Sequence, residues 1–100
     1  MAKEKYITLR YYSHQDNRLN SDFIKIGNTY LRVEKISALG PINTNYSENR
    51  SYEEDGKAFT LVCDGVGYKV VVASDKVEKV YGKITDMIFR IPETKEKQYI

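Results

Sequence analysis

The sequence has very few of the side chains that carry metal and nucleophilic chemistry. One cysteine, Cys63, and one histidine, His14, allow no intramolecular disulfide and no zinc-type ligand spacing. The adjacent acids Glu53, Glu54 and Asp55 are typical of a solvated loop rather than a calcium site. We therefore expect no metal and no cofactor. Cys63 lies in an alternating strand pattern, which predicts a small core residue rather than a nucleophile.

Catalytic patterns are equally scarce. His14 lies between Ser13 and Asp16, so an imidazole, a hydroxyl and a carboxylate are close in sequence, but triad geometry normally joins distant segments. We interpret this histidine as a surface-loop residue. Gly65 and Gly67 do not form a phosphate loop, because the dinucleotide fingerprint needs a third glycine and a helix that follows directly. The sequence therefore indicates a protein that is not an enzyme and has no catalytic residues.

The chain also lacks long apolar runs and a strong excess of either charge. No run approaches the roughly 20 residues of a membrane span, and the charged start MAKEKYITLRYY lacks the apolar core of a signal peptide. The 16 basic and 14 acidic residues give a net charge of +2, which exerts no bulk attraction on nucleic acid or anionic membrane. We expect a cytoplasmic protein that makes no membrane contact.

The segment 58–88 predicts two strands, a tight turn and a helix. Asp64-Gly65 is the pair that most readily accepts positive φ, and a two-residue turn there sets Cys63 opposite Val66. A four-residue turn through 64–67 would shift the pairs but keep the same side chains on one face, because side chains alternate with a period of two. That face carries Phe59, Leu61, Cys63, Val66, Tyr68 and Val70.

An amphipathic helix is predicted behind this hairpin. Apolar residues recur there at steps of three and four, and Ser74 or Asp75 offers an N-cap oxygen. The apolar stripe consists of Val77, Val80, Tyr81, Ile84, Met87 and Ile88. Beyond the stripe, residues 89–93 predict an edge strand because Pro92 suits a strand end, and 94–100 predict a flexible tail.

The first half of the chain predicts strands joined by polar loops. The hairpin in this half sets Ile26 opposite Thr29 and Ile24 opposite Leu31. The predicted segments are a strand at 5–12, a loop at 13–22, a hairpin that closes at Gly27-Asn28, a short strand within 34–42, and an exposed polar loop or hairpin tip at 43–57.

Together these segments predict an α+β fold. We expect a mostly antiparallel sheet of about five strands, built from two hairpins, with one main C-terminal amphipathic helix packed on a face. A chain of 100 residues with 41% hydrophobic and 30% charged residues is typical of one globular domain, which we place at 1–93.

The layout of residues 23–88 is similar to that of a known family. It combines turns at Gly27-Asn28 and Asp64-Gly65 with an Ile36-x-x-Leu39 segment and the helix pattern Ser74-x-x-Val77-x-x-Val80-x-x-x-Ile84. This arrangement resembles the small flagellar FlbD family, with a polar insertion at 43–57 and extra segments at both ends. The resemblance covers about two-thirds of the chain and implies a shared layout only, without functional residues.

Tyrosine is the one abundant residue with functional meaning, with nine tyrosines beside three phenylalanines and no tryptophan. Its large, rigid and amphipathic side chain favours binding surfaces, although strands favour tyrosine in any case. The second face of the 58–73 hairpin is also apolar, since it carries Val62, Val71 and Ala73. Because exposed apolar surface marks a partner, we expect the N-terminal strand, the C-terminal tail or a second copy of the chain to cover it.

We therefore predict a small binding module with a protein partner, foremost a second copy of itself as a homodimer or higher oligomer. The alternative is a bacterial or phage-encoded module that binds or sequesters a nucleotide or nucleic acid, because aromatic residues interleaved with lysine and arginine stack bases. The predicted binding-surface residues are Tyr6, Arg10, Tyr12, His14, Tyr30, Arg32, Tyr46, Arg50, Tyr52, Val62 and Val71.

Overall fold

The computed structural model describes residues 6–20, 22–49 and 55–99, with side chains as far as Phe89. In this part of the chain, eight strands and a short 3-10 turn precede one long helix. The elements are β1 (Ile7–Tyr11), β2 (Arg18–Leu19), β3 (Phe23–Ile26), β4 (Thr29–Arg32), the 3-10 turn (Val33–Lys35), β5 (Ile36–Leu39), β6 (Asn43–Glu48), β7 (Gly56–Cys63), β8 (Val66–Ala73) and α1 (Val77–Tyr99). The predicted α+β fold with largely antiparallel sheets is confirmed.

The β7–β8 hairpin has the predicted two-residue turn and register. Asp64 and Gly65 both have positive φ, 55° and 81°, as a type I′ turn requires. Cys63 pairs with Val66, and the ladder continues for the full length of both strands. The pairing therefore places the predicted side chains on one face of the sheet.

The main sheet has the strand order β1-β8-β7-β5, and β6 also pairs with β7. β5 and β6 bind successive parts of β7, with Leu39 opposite Leu61 and Asn43 opposite Ala58, so they act as one edge interrupted at Gly40-Pro41. The segment 43–57 is thus a hairpin arm over its described residues. β1 runs parallel to β8, with Leu9 beside Val70, which makes this sheet mixed.

The first hairpin forms a separate small sheet, of order β2-β3-β4. Its register is as predicted, with Ile24 opposite Leu31, and Gly27 has the positive φ of 62° that the first central position of a type II′ turn requires. The segment predicted as a loop at 13–22 contains β2, which pairs with β3 through Arg18 and Leu19. Because β2 has only two residues and lies within a polar segment, it shows no alternation of apolar and polar residues from which a strand could be predicted.

Helix α1 and the small sheet both pack on the same face of the main sheet. Tyr81 helps to fasten the helix, because its ring meets that of Phe59 edge-on at 5.0 Å and its hydroxyl donates to the Gly40 carbonyl at 2.8 Å. The buried core comprises Leu9, Ile24, Ile26, Leu31, Val33, Phe59, Leu61, Cys63, Val70, Val72, Val77, Val80, Ile84 and Met87. We call the opposite side of the main sheet its outer face.

Two predictions about the helix ends are wrong. The edge strand expected at 89–93 is absent, because α1 continues through Pro92 to Tyr99. Proline removes one helical N–H, but the Lys, Glu and Gln residues that follow are good helix formers. At the other end the first helical bond joins the Val80 N–H to the Lys76 carbonyl, so the helix starts after Ser74 and Asp75 rather than at them. The flexible tail at 94–100 remains a prediction.

Candidate binding face of the main sheet

The outer face combines a polar frame with small residues at its centre. Cross-strand partners in a sheet share a face, so the register assigns to it Thr8, Arg10, Gly56, Ala58, Thr60, Val62, Gly67, Lys69, Val71 and Ala73. Tyr6, directly before β1, and Tyr46 of β6 lie at its two margins. The described side chains of helix α1 and of the small sheet cluster with the residues of the opposite face.

An ion pair crosses this face from one margin to the other. Arg10 of β1 donates from Nε to Glu48 Oε2 of β6 at 2.7 Å, and from Nη2 to Oε1 at 3.2 Å. The Tyr46 hydroxyl also donates to Glu48 Oε1 at 2.7 Å. Because of the Glu48 carboxylate, the pKa of the Arg10 guanidinium is raised above its usual value. The two-pronged geometry makes this one of the stronger types of ion pair.

The ion pair explains why the centre of the outer face is closed. β8 and β7 lie between Arg10 and Glu48, so the paired side chains extend over Val71 and its small neighbours Ala58 and Ala73. All three are buried, and Val71 is 0% exposed. Of the three covers expected for this face, the N-terminal strand is the one that shields Val71, because Arg10 of β1 extends over it to Glu48. Val62 is half-buried.

Beside the ion pair lies a cavity of about 310 Å³ with aromatic and cationic walls. We call it the tyrosine pocket, and it is lined chiefly by Tyr6, Asn43, Tyr46, Thr60 and Lys69. The Lys69 ammonium lies 4.9 Å from the centre of the Tyr46 ring, within cation–π distance.

Gly67 determines where the Tyr6 ring lies. A Cβ atom at this glycine would come within 2.7 Å of the ring, so the ring lies directly on the backbone of β8. Tyr6 is nevertheless 43% exposed. The pocket therefore includes an aromatic side chain that is partly exposed to solvent.

The structure brings together only part of the predicted binding surface. Tyr6, Arg10 and Tyr46 meet on the outer face, which also carries Val62 and Val71.

The other predicted residues lie elsewhere. Tyr12 packs on His14 with ring centres 5.4 Å apart, just beyond the end of β1. Tyr30 and Arg32 belong to the small sheet, where Tyr30 contacts Phe23. Arg50 and Tyr52 lie outside the described residues.

Four residues of the site were missed in the sequence, namely Asn43, Glu48, Thr60 and Lys69. Lys69 is the one charged residue within the strand 66–73, and a lysine at the centre of an apolar strand is a detectable signal of a polar outer face. Glu48 lies in a polar run of similar residues, and no local pattern distinguishes it. Its partner is 38 positions away.

The single histidine and the single cysteine lie in different settings. His14 is exposed and stacks on a tyrosine. Burial raises the pKa of the Cys63 thiol, which keeps it in the unreactive neutral form. No group of three potential metal ligands occurs within the described ranges, while Glu53 and Glu54 lie outside them. None of the helices in the described part of the chain has both the length and the apolar character to cross a membrane.

Comparison with protein-family models, curated proteins and solved structures finds no match for this chain. The resemblance to the FlbD layout therefore stays a prediction.

Proposed function

We propose that this protein is a small, non-enzymatic, cytoplasmic module that binds nucleotides, free or within a strand, on the outer face of its main sheet. The observation that carries the proposal is the tyrosine pocket, where Tyr6 and Tyr46 line one cavity together with Lys69. Aromatic side chains on an open sheet face stack nucleobases, and a nearby cation favours the phosphate.

The polar atoms of the pocket suit the same ligand. Thr60 and Asn43 contribute a hydroxyl and an amide, which both donate and accept hydrogen bonds and can therefore contact base edges. The Arg10–Glu48 ion pair keeps the neighbouring part of the face closed, so that the ligand meets a preformed surface. Binding and release, without bond-making chemistry, would then be the whole task of the protein.

The test is thermal stabilisation by nucleoside monophosphates and by short single strands. A ligand that binds the native state raises the melting temperature as its concentration rises above the dissociation constant. We expect Tyr6→Ala and Tyr46→Ala to weaken binding about tenfold or more, since stacking contributes about 1–3 kcal/mol per base. Tyr30→Ala is the matched control, because Tyr30 is 60% exposed but lies on the small sheet. The proposal fails if no ligand stabilises the protein at saturation, or if all three variants bind alike.

Self-association is the second candidate function, and a different surface favours it. β5 ends the main sheet within the described chain. Next to it lies an apolar groove of about 270 Å³, formed by Ile36, Leu39, Tyr81, Ile88 and Phe89 with their neighbours. Phe89 is 63% exposed, which is unusual for phenylalanine on a folded surface. An open strand edge beside an apolar groove is suited to pairing with a second copy.

A further inference from the structure

A further cavity, separate from the tyrosine pocket and the apolar groove, lies between the end of β1 and the first turns of α1. It measures about 430 Å³ and is lined by Tyr11, Ser13 and residues of the helix start. Lys76, Lys79 and Lys83 follow one another at steps of three and four, so they share one side of the helix. We call this cavity the lysine cleft.

The lysine cleft is strongly basic for a protein of nearly balanced charge. It has three ammonium groups and one carboxylate, that of Asp75, which lies 3.7 Å from the Lys76 ammonium. Three positive charges less one negative charge leave +2, which equals the net charge of the whole chain. The ion pairs among the described residues do not include Lys79 or Lys83, and like charges at this spacing repel. An anion in the cleft would relieve that repulsion.

Strand β1 connects the lysine cleft with the tyrosine pocket. It lies at one edge of the main sheet as far as the chain is described, with Tyr6 in the pocket directly before it and Tyr11 in the cleft at its end. The extended chain between these two tyrosines spans about 16 Å, which is several times the roughly 3.4 Å spacing of stacked nucleotides. One nucleotide cannot contact both places, whereas a strand of several nucleotides can.

We infer that the ligand is a single-stranded polynucleotide that passes over the edge at β1. Its bases stack in the tyrosine pocket, and its phosphates bind Lys76, Lys79 and Lys83 in the lysine cleft. This inference rests on the proposed function and adds that the natural ligand is a strand rather than a free nucleotide.

The experiment compares a labelled twelve-nucleotide single strand with a nucleoside monophosphate, at several salt concentrations. Twelve nucleotides lies within the roughly 4–16 that small single-strand-binding domains cover. We expect the strand to bind at least tenfold more tightly than the monophosphate. The double variant Lys79→Gln/Lys83→Gln should weaken strand binding and lower the slope of log affinity against log salt by about 1.4, because each phosphate that a lysine neutralises contributes about 0.7 to that slope.

The control is Lys35→Gln, which removes an exposed lysine on the 3-10 turn and should leave both ligands unaffected. Monophosphate affinity should also be unchanged in the double variant. If the monophosphate binds as tightly as the strand, or the salt slope does not change, the lysine cleft has no part in binding while the pocket retains its function. If neither ligand binds, the proposed function fails and the inference fails with it. If the strand binds, a comparison of ribose and deoxyribose strands of the same sequence shows which polynucleotide is preferred, because only ribose carries the 2′-hydroxyl.

Discussion

The Arg10–Glu48 ion pair has two roles at the scale of single residues, since it both joins distant strands and shields Val71. Its side chains are 46% and 19% exposed, so solvent screens the charges only in part. Removal of the guanidinium would take the charged hydrogen-bond donor Arg10 from the partly buried Glu48 carboxylate, which would keep the Tyr46 hydroxyl, and loss of one partner of a partly buried charge is costly.

We predict that Arg10→Met lowers the free energy of unfolding by about 1–2 kcal/mol, measured by urea denaturation. The matched control is Arg32→Met, because Arg32 pairs with Glu34 at 3.0 Å in a setting where the side chains are 70% and 61% exposed. An exposed pair of this kind should change stability by less than about 0.5 kcal/mol. Equal losses in the two variants would contradict a shielding role for Arg10.

The sequence does not reveal which long side chains will meet across a sheet. Alternation along 5–12 places Arg10 on the face opposite Leu9, and this is correct, because Leu9 is 7% exposed in the core. The choice of Glu48 as its partner depends on the order β1-β8-β7 and on the place of β6 beside β7. Strand order is a long-range property. The sequence shows only that Val62, Val71 and Ala73 are apolar, which predicted that another segment or a partner covers this face.

At the scale of elements, the two hairpins show how turn chemistry sets register. Both turns require positive φ at a glycine, at Gly27 and at Gly65, and both hairpins have the register that their turns predict. Helix α1 contains a third glycine, Gly82, without such a requirement. A Cβ atom added there would meet nothing within 4 Å apart from the adjacent residues and the backbone of the helix itself. The same chemical change at Gly65 and Gly82 should therefore have opposite effects.

We predict that Gly65→Ala destabilises the protein by about 1–2 kcal/mol, because an L-residue at φ 81° is strained. Gly82→Ala should instead stabilise it by about 0.5–1 kcal/mol, since alanine favours the helix and meets no steric barrier there. Urea denaturation of both variants at one pH measures the difference. A loss of stability in Gly82→Ala would show that α1 is not a regular helix at this position.

Strands and helices could be predicted where the sequence pattern that defines them is local. Their pairing could not be predicted where it joins distant segments. The hairpins, and the helix stripe through Ile88, follow from patterns within about ten residues of chain. The parallel pairing of β1 with β8 joins positions about 60 residues apart, and alternation gives the face of a strand but not its neighbour. The continuation of α1 past Pro92 was not predicted, because proline is typical of strand and helix ends and the good helix formers after it were assigned to a tail.

At the scale of the whole molecule, the outer face of the main sheet and the groove beside β5 are suited to different partners. The outer face is polar with a closed centre, whereas the groove between β5 and α1 is apolar and ends at Phe89. The tyrosine pocket could be predicted only in outline: Tyr6 and Tyr46 are candidates in the sequence, but their common cavity depends on the pairing of β6 with β7. The helical pattern places Lys79 and Lys83 on the solvent side of the helix, and it gives no sign of the cleft that they line with the end of β1.

The last prediction concerns the number of chains in the assembled protein. If two copies pair through β5 about a two-fold axis, their main sheets join into one, and each Phe89 is withdrawn from water by the groove of the other copy. Sedimentation equilibrium should then show a dimer that dissociates on dilution. Phe89→Glu should shift the population to monomer, because a buried carboxylate without a partner opposes association.

Tyr30→Glu is the control for this prediction, since Tyr30 is exposed to nearly the same extent, 60% against 63%, but lies on the small sheet. A wild-type protein that is monomeric at high concentration would exclude self-association through the groove. A dimer that both variants weaken equally would place the contact elsewhere. Because the groove and the tyrosine pocket lie at different parts of the main sheet, Phe89→Glu should leave nucleotide affinity unchanged, and the two functions can be tested independently.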